Sequence, residues 1–139
     1  MTAAQVLAAI LAIFPFMSGN NRACIVSHRD RIEHQLAETT AAGVPIEIMA
    51  AVAFVETHMG CDRNEGGNWG APIDRFHRHT AGTHMDAAQS LLTGHERCGD
   101  WDGAVMRFRS GMCRTQQPYA VRYVRMVNNL AQRIRDQAH

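Results

Sequence analysis

The sequence predicts a mainly α domain, and three observations support this fold class. The 139 residues are 46% hydrophobic and 19% charged, a composition typical of an ordered globular chain that buries its own core. Apolar residues recur at helical spacing through most of the chain. Strand patterns are sparse, and the Gly- and Asn-rich residues 60–82 lack a sustained period. We expect this stretch to form a small irregular lobe, with a hairpin over residues 60–75.

The first 23 residues form an apolar segment that is open to two interpretations. Residues 6–17 carry only apolar side chains, which fits the core of a signal peptide but is too short to span a membrane. The positively charged start of a signal peptide is missing. The alternative is an uncleaved anchor or a first helix of the fold, ended by Pro15. Residues 1–17 are where we expect contact with a membrane or a macromolecular assembly.

Helix signals dominate the remaining domain, residues 24–139. Gly43 is placed to cap one helix, and Pro45 suits the first turn of the next. Thr83 and Asp86 have the spacing of a capping box. The predicted helices span residues 25–40, 45–58, 83–97, 100–109 and 119–135.

Four cysteines permit two disulfides with three connectivities. Cys98 and Cys113 bracket a short segment typical of one helix, so we predict that they pair, and Cys24 with Cys61 follows by elimination. If these bridges form, the protein functions outside the reducing cytosol. The alternative is four buried free thiols that pack as small apolar residues.

Glu56 interrupts the apolar run VAFVETHM, residues 52–59. In a helix over residues 45–58, Glu56 shares one face with Met49, Val52 and Ala53. Apolar surroundings and the negative end of the helix dipole both favour the neutral carboxyl group. A carboxyl group that stays protonated near neutral pH suits a general acid. The structural alternative is a surface glutamate at a helix end, or one that pairs with an arginine.

Charge and histidine content weigh against two other classes of function. The formal net charge of +1 does not favour a nucleic-acid-binding surface. His77, His79 and His84 lie near Asp86, with His58 or Cys61 as further candidate ligands, and these are residue types that bind zinc. Their spacing fits no zinc motif, so we predict neither a metal site nor a cofactor. A zinc-stabilised helical module is kept as an alternative.

The segment GVPIEIMAAVAFVETHMG, residues 43–60, resembles the start of the lytic transglycosylase catalytic domain, of the goose-lysozyme-like family. That family shows Gly-Val-Pro, an apolar helix and then Glu-Ser, with the glutamate as catalytic acid/base. Gly43-Val44-Pro45 and Glu56-Thr57 occupy the corresponding positions. The resemblance implies a lysozyme-like fold, and Glu56 as the catalytic residue.

Later segments follow the order of the family motifs, so the resemblance covers about residues 30–130. Asn68-Trp69-Gly70-Ala71 lies where the family has Gly-Leu-Met-Gln, although the Met-Gln pair is absent. Residues 99–111 resemble the segment with Ala and Tyr-Asn-x-Gly, but Phe108-Arg109-Ser110 replaces Tyr-Asn-x. Tyr123-Val124 matches the late Tyr-Val pair.

The resemblance implies that the glycan strands of peptidoglycan are the substrate. Glu56 would protonate the glycosidic oxygen between N-acetylmuramic acid and N-acetylglucosamine. The 6-hydroxyl of the muramic sugar would then close an anhydro ring, a lytic route without a second carboxylate. A hydrolytic route would need a second carboxylate to hold a water molecule. The candidates are Asp62, Glu65 and Asp74, whose alternative role is as solvated loop charges.

Four residues are expected to support binding around Glu56. Thr57 keeps the hydroxyl of the family serine, and Gly70 belongs to the family's second motif. Trp69 would stack on a sugar ring or else join the loop to the core. Tyr123 would orient Glu56 or contact an acetamido group, and its alternative is a core tyrosine with a satisfied hydroxyl.

The function expected from the sequence is peptidoglycan cleavage, as a lytic transglycosylase or a lysozyme. The protein would work outside the cytoplasm, in the periplasm or cell wall, or in a virion. The alternative is a component of a virion or secretion apparatus that has this fold and docks at the wall with little turnover. The missing motif residues favour that alternative, and the position of Glu56 opposes it.

Overall fold

A computed structural model describes residues 1–62, 67–70 and 82–138. Over these residues the chain forms seven α-helices and no strand. This confirms the mainly α fold class. The helices are α1 (Ala3–Ile13), α2 (Gly19–Ser27), α3 (Arg29–Ala42), α4 (Ile46–Thr57), α5 (His84–Cys98), α6 (Trp101–Ser110) and α7 (Pro118–Ala138). The predicted hairpin lies partly outside the described residues, and its described parts, residues 60–62 and 67–70, form turns, a bend and irregular loop.

The apolar N-terminal segment contains α1, which packs against α7, α3 and α4. A capping box between Thr2 and Gln5 starts this helix, and Val6 and Ile10 are fully buried. Residues 3–13 therefore contribute to the same core as the rest of the chain. No helix in the described ranges is both long and apolar enough to cross a bilayer.

The helix predicted over residues 25–40 is wrong in one respect, because the chain forms two helices there. α2 ends at Ser27 and α3 begins at Arg29, and His28 between them has φ −106° and ψ 24°. Ile25 on α2 and Ile32 on α3 are both fully buried, so the two helices contribute to the same core. The Ser18 side chain caps the start of α2 at the Asn21 N–H, an N-cap signal that the periodicity of residues 25–40 did not include.

The remaining helices confirm the predicted start and stop signals. Gly43 follows α3 with φ +120°, where a side chain would be strained. Pro45 marks the start of α4 as the N-cap residue, one position before the predicted place in the first turn. Thr83 and Asp86 form the predicted capping box of α5, with N···O distances of 3.1 and 3.0 Å. These signals mark the end of α3 and the starts of α4 and α5.

The central helix is α4, which packs against α7, α3 and α1. Its residues 49–53 are all fully buried, so the helix is apolar on every side over these turns. A buried helix of this kind brings its C-terminal residues directly against α7. That geometry positions Glu56, five residues beyond Ala51, near the residues of α7.

Both predicted disulfides are present, which confirms the pairing. Cys24–Cys61 joins α2 to the turn after α4, and Cys98–Cys113 joins the end of α5 to the loop after α6. The chain has no free cysteine, so the alternative of buried thiols is wrong. Two disulfides indicate an oxidising, extracytoplasmic environment.

We predict that the two bridges differ in their contribution to stability. Their sequence separations are 37 residues for Cys24–Cys61 and 15 for Cys98–Cys113. A longer closed loop restricts the unfolded chain more, so removing the bridges should cost roughly 4 and roughly 3 kcal/mol respectively. Denaturant unfolding of the paired Cys→Ala variants would measure both values.

Unfolding of wild type with and without a reductant provides the control. Reduction should bring wild type below both variants, because it opens both bridges together. An unchanged free energy of unfolding after verified reduction would contradict a stabilising role for either bridge.

Candidate active site

Glu56 lies in the last turn of α4, at the edge of the core. The three residues that share its helical face, Met49, Val52 and Ala53, are fully buried, whereas Glu56 itself is half-buried. The carboxyl group therefore sits where the apolar face of α4 meets a cleft. This is the position that the spacing of the sequence predicted.

Tyr123 on α7 donates a hydrogen bond to Glu56. The distance from the phenol oxygen to Glu56 Oε1 is 2.7 Å, across 67 residues of sequence. Burial raises the pKa of Tyr123 well above its ordinary value of 10.0, and the negative charge of Glu56 and their hydrogen bond raise it further. The nearby Arg109 opposes this shift. Tyr123 therefore stays protonated near neutral pH and keeps its donor directed at the carboxylate.

Glu56 and Tyr123 line a cleft of about 390 Å³ between α4, α6 and α7. Half-buried carboxyl groups in clefts are common sites of acid/base chemistry. The described residues that line this cleft are Val55, Glu56, Arg109, Tyr119, Arg122, Tyr123 and Met126. Glu56 is the one carboxylate among them.

Thr57 fixes the loop that follows Glu56. Its hydroxyl accepts a hydrogen bond from the Gly60 N–H at 2.8 Å and donates one to the Asn68 carbonyl at 3.3 Å. Only 4% of Thr57 is exposed, so its hydroxyl is used within the protein. The structure thus gives Thr57 a positioning role in place of the predicted contact with substrate.

Gly70 brings the same loop against the catalytic candidate. It has φ +70°, and a Cβ atom there would lie 3.0 Å from Thr57 Cγ2 and 3.9 Å from Glu56 Oε2. A side chain at this position would be strained and would crowd the end of α4. Gly70 is buried, so it shapes one wall beside Glu56 by leaving space for the carboxyl group.

Trp69 lies in the core and not in the cleft. The side chain is fully buried and meets His84 edge-on, with ring centroids 5.7 Å apart. Stacking on a sugar ring does not fit this burial. The burial of Trp69 fits the alternative role instead, in which this residue joins the loop to the core.

Of the three candidate second carboxylates, only Asp62 lies within the described residues. Asp62 accepts a hydrogen bond from Asn21 and lies 2.6 Å from His58 Nδ1. It lines a different cleft, beside Cys24 and Arg31. Glu65 and Asp74 fall outside the residues that the structure describes.

The candidate zinc ligands are placed as follows. His77 and His79 lie outside the described residues. His84 pairs with Glu38 at 3.1 Å, Asp86 caps α5, and Cys61 is held in a disulfide. Over the described part of the chain, no group of three or more His, Cys, Asp or Glu residues is arranged to hold a metal ion.

Sequence reasoning missed Arg109, Tyr119 and Arg122 as cleft residues. For Tyr119 and Arg122, the helical spacing of α7 contains a signal. Arg122, Tyr123 and Met126 follow Tyr119 at i+3, i+4 and i+7, so the four residues form one stripe of α7 that faces the cleft. Arg109 joins them from α6, a contact between elements that helical periodicity does not reveal.

Comparison with known proteins gives no family assignment. No protein-family model, curated protein or solved structure matches this chain. The likeness to lytic transglycosylases therefore rests on the motifs of the sequence alone.

We predict that Tyr123 makes stability fall in alkaline solution. Its pKa is raised in the folded state, so above pH 10 the unfolded chain releases a proton that the folded chain retains. The free energy of unfolding should therefore be unaffected below about pH 10. Above that pH it should decrease with a slope approaching about 1.4 kcal/mol per pH unit.

Chemical denaturation between about pH 8 and pH 11 would measure this dependence. Tyr123→Phe should remove the alkaline decrease, although its stability at neutral pH is lower. Tyr119→Phe is the matched control because Tyr119 is 42% exposed, and it should leave the decrease in place. Parallel curves for wild type and Tyr123→Phe would show that Tyr123 is not the titrating group.

Proposed function

We propose that this protein cleaves the glycan strands of peptidoglycan, with Glu56 as the general acid/base. The observation that carries the proposal is the hydrogen bond between Tyr123 and Glu56 in an open cleft. It supplies an oriented carboxyl group at the position where the sequence resembles a lytic transglycosylase. The two disulfides are compatible with work at the cell wall, outside the cytoplasm.

In the proposed reaction, protonated Glu56 donates its proton to the glycosidic oxygen between N-acetylmuramic acid and N-acetylglucosamine. The glycosidic bond breaks as positive charge develops on the muramic sugar. Ionised Glu56 then removes the proton from the nucleophile, whose oxygen bonds to C1 of the muramic sugar, and Glu56 is protonated again. Tyr123 acts throughout as a positioning residue, because its donor stays directed at Oε1 when the carboxylate forms.

The described residues of the cleft are sufficient for the lytic route, whereas two candidate second carboxylates for hydrolysis, Glu65 and Asp74, lie outside the described residues. Hydrolysis with inversion would require a second carboxylate to activate water, and Glu56 is the one carboxylate among the described residues of the cleft. The lytic route uses the 6-hydroxyl of the muramic sugar as nucleophile, so Glu56 suffices. The products are then 1,6-anhydromuramic ends.

A wall-docking component with little turnover is the second candidate function. The observation that favours it is the burial of Phe108, which is fully inaccessible at the position where the family has tyrosine. This residue cannot replace the family's polar contact with the sugar. A virion or a secretion apparatus would be the setting for such a component.

We predict that Glu56→Gln abolishes turnover while the protein stays folded. The substitution keeps the shape of the side chain but removes its proton donor, and loss of a general acid/base costs about 10²- to 10⁴-fold in rate. Release of soluble fragments from purified peptidoglycan would be measured, with their masses determined by mass spectrometry. Fragments with anhydro ends should come from wild type.

Glu96→Gln is the matched control, because Glu96 is exposed on α5 and should keep full turnover. Equal release by wild type and Glu56→Gln would remove Glu56 from the mechanism. Strand binding without any release by wild type would favour the wall-docking function.

A further inference from the structure

Two arginines at the rim of the Glu56 cleft have no acidic partner within the described part of the chain. Arg109 in the last turn of α6 and Arg122 on α7 both line the cleft and are exposed. Other arginines of the chain do pair with carboxylates. Arg114 lies 2.8 Å from Asp100, and Arg135 lies 3.0 Å from Glu47. The cleft therefore combines one carboxylate with two guanidinium groups that form no ion pair among the described residues.

Arg109 is held in place by two aromatic rings. Its guanidinium carbon lies 5.4 Å from the ring centroid of Tyr119 and 5.9 Å from that of Tyr123. Both distances are within the range of cation–π attraction. These contacts limit the conformations of a long side chain, so less entropy is lost when the guanidinium binds a ligand.

We propose that Arg109 and Arg122 bind a carboxylate group of the substrate next to the bond that is cleaved. The inference rests on the proposed function and specifies its substrate class as an acidic glycan. In peptidoglycan, that group is the lactyl carboxylate of a muramic sugar without a peptide, or a carboxylate of the attached peptide. The sequence has Phe108-Arg109-Ser110 in place of the family's Tyr-Asn-x, so Arg109 is a feature of this chain.

The chemistry of the two side chains favours a carboxylate over a neutral sugar. A guanidinium presents parallel N–H donors that match the two oxygens of a carboxylate, and a charged acceptor strengthens each hydrogen bond. A glycan without acidic groups would leave both positive charges without a partner. A phosphate-bearing wall polymer offers a similar anion, and the test separates the two sources.

The experiment compares three forms of glycan strand cleaved by wild type, Arg109→Gln and Arg122→Gln. The strands are first freed of phosphate polymers, and one portion has its carboxylates converted to neutral carboxamides. A third portion keeps the phosphate polymers. On carboxylate strands, kcat/KM should fall roughly tenfold for each substitution, as expected for loss of one charge-assisted hydrogen bond at an exposed site. On carboxamide strands, the variants should match wild type.

Arg125→Gln is the matched control, because Arg125 is exposed one turn along α7 and does not line the cleft. It should match wild type on every substrate. Equal losses on carboxylate and carboxamide strands would overturn the inference. So would losses that appear only when the phosphate polymers are present, since they would assign the arginines to phosphate.

Binding measurements separate this inference from the proposed function. If wild type cleaves none of the strands, the proposed function fails. Titration of the same strands into wild type and the arginine variants then decides the inference. Tighter binding of carboxylate strands than of carboxamide strands, lost in Arg109→Gln and Arg122→Gln, would support it. Equal binding of both strands by all the proteins would overturn it.

Discussion

The candidate site depends on the hydrogen bond between Tyr123 and Glu56. It joins the C-terminal end of the buried helix α4 to α7 and holds Oε1 at 2.7 Å from a phenol oxygen. A half-buried carboxylate is costly without such a partner. Because Tyr123 is itself buried and resists ionisation, the donor is maintained across the pH range in which a glutamate titrates. The fold thus supplies a carboxyl group of fixed orientation at the surface of an apolar core.

The surrounding architecture keeps this pair in place through the turn after α4. Thr57 hydrogen-bonds to the backbone of Gly60 and Asn68, and the Cys24–Cys61 bridge ties the same turn to α2. Arg31 of α3 adds hydrogen bonds to the Met59 and Gly67 carbonyls, at 3.2 and 3.3 Å. These three sets of contacts constrain the backbone beside Glu56. This constraint gives the α4 end less freedom than an ordinary helix terminus.

Much of the helical fold could be predicted from local signals. Gly43, Pro45, Thr83 and Asp86 act within one turn of the chain, so their capping roles are visible in the sequence. The division between α2 and α3 was missed because His28 is neither glycine nor proline. Ile25 and Ile32 are seven residues apart and fit one face of a continuous helix, so the apolar periodicity contains no sign of the break.

The candidate site was only partly predictable, for a similar physical reason. Glu56 is conspicuous because a carboxylate in an apolar helix has a high desolvation cost. Tyr123 was proposed as its partner through the resemblance to a family. Arg109 comes from a third helix, and no periodicity links it to Glu56. For Trp69 the local sequence is misleading. A tryptophan in a Gly-rich loop is expected to be exposed, yet Trp69 is fully buried.

The most direct test of the central claim is a crystal structure of Glu56→Gln with a bound peptidoglycan tetrasaccharide. The account predicts that the glycosidic oxygen lies within hydrogen-bond distance, about 2.6–3.2 Å, of the amide group at position 56. Residue 123 should still contact that amide. A tetrasaccharide bound at another surface, with the cleft between α4 and α7 filled by solvent, would contradict the claim that Glu56 performs the reaction.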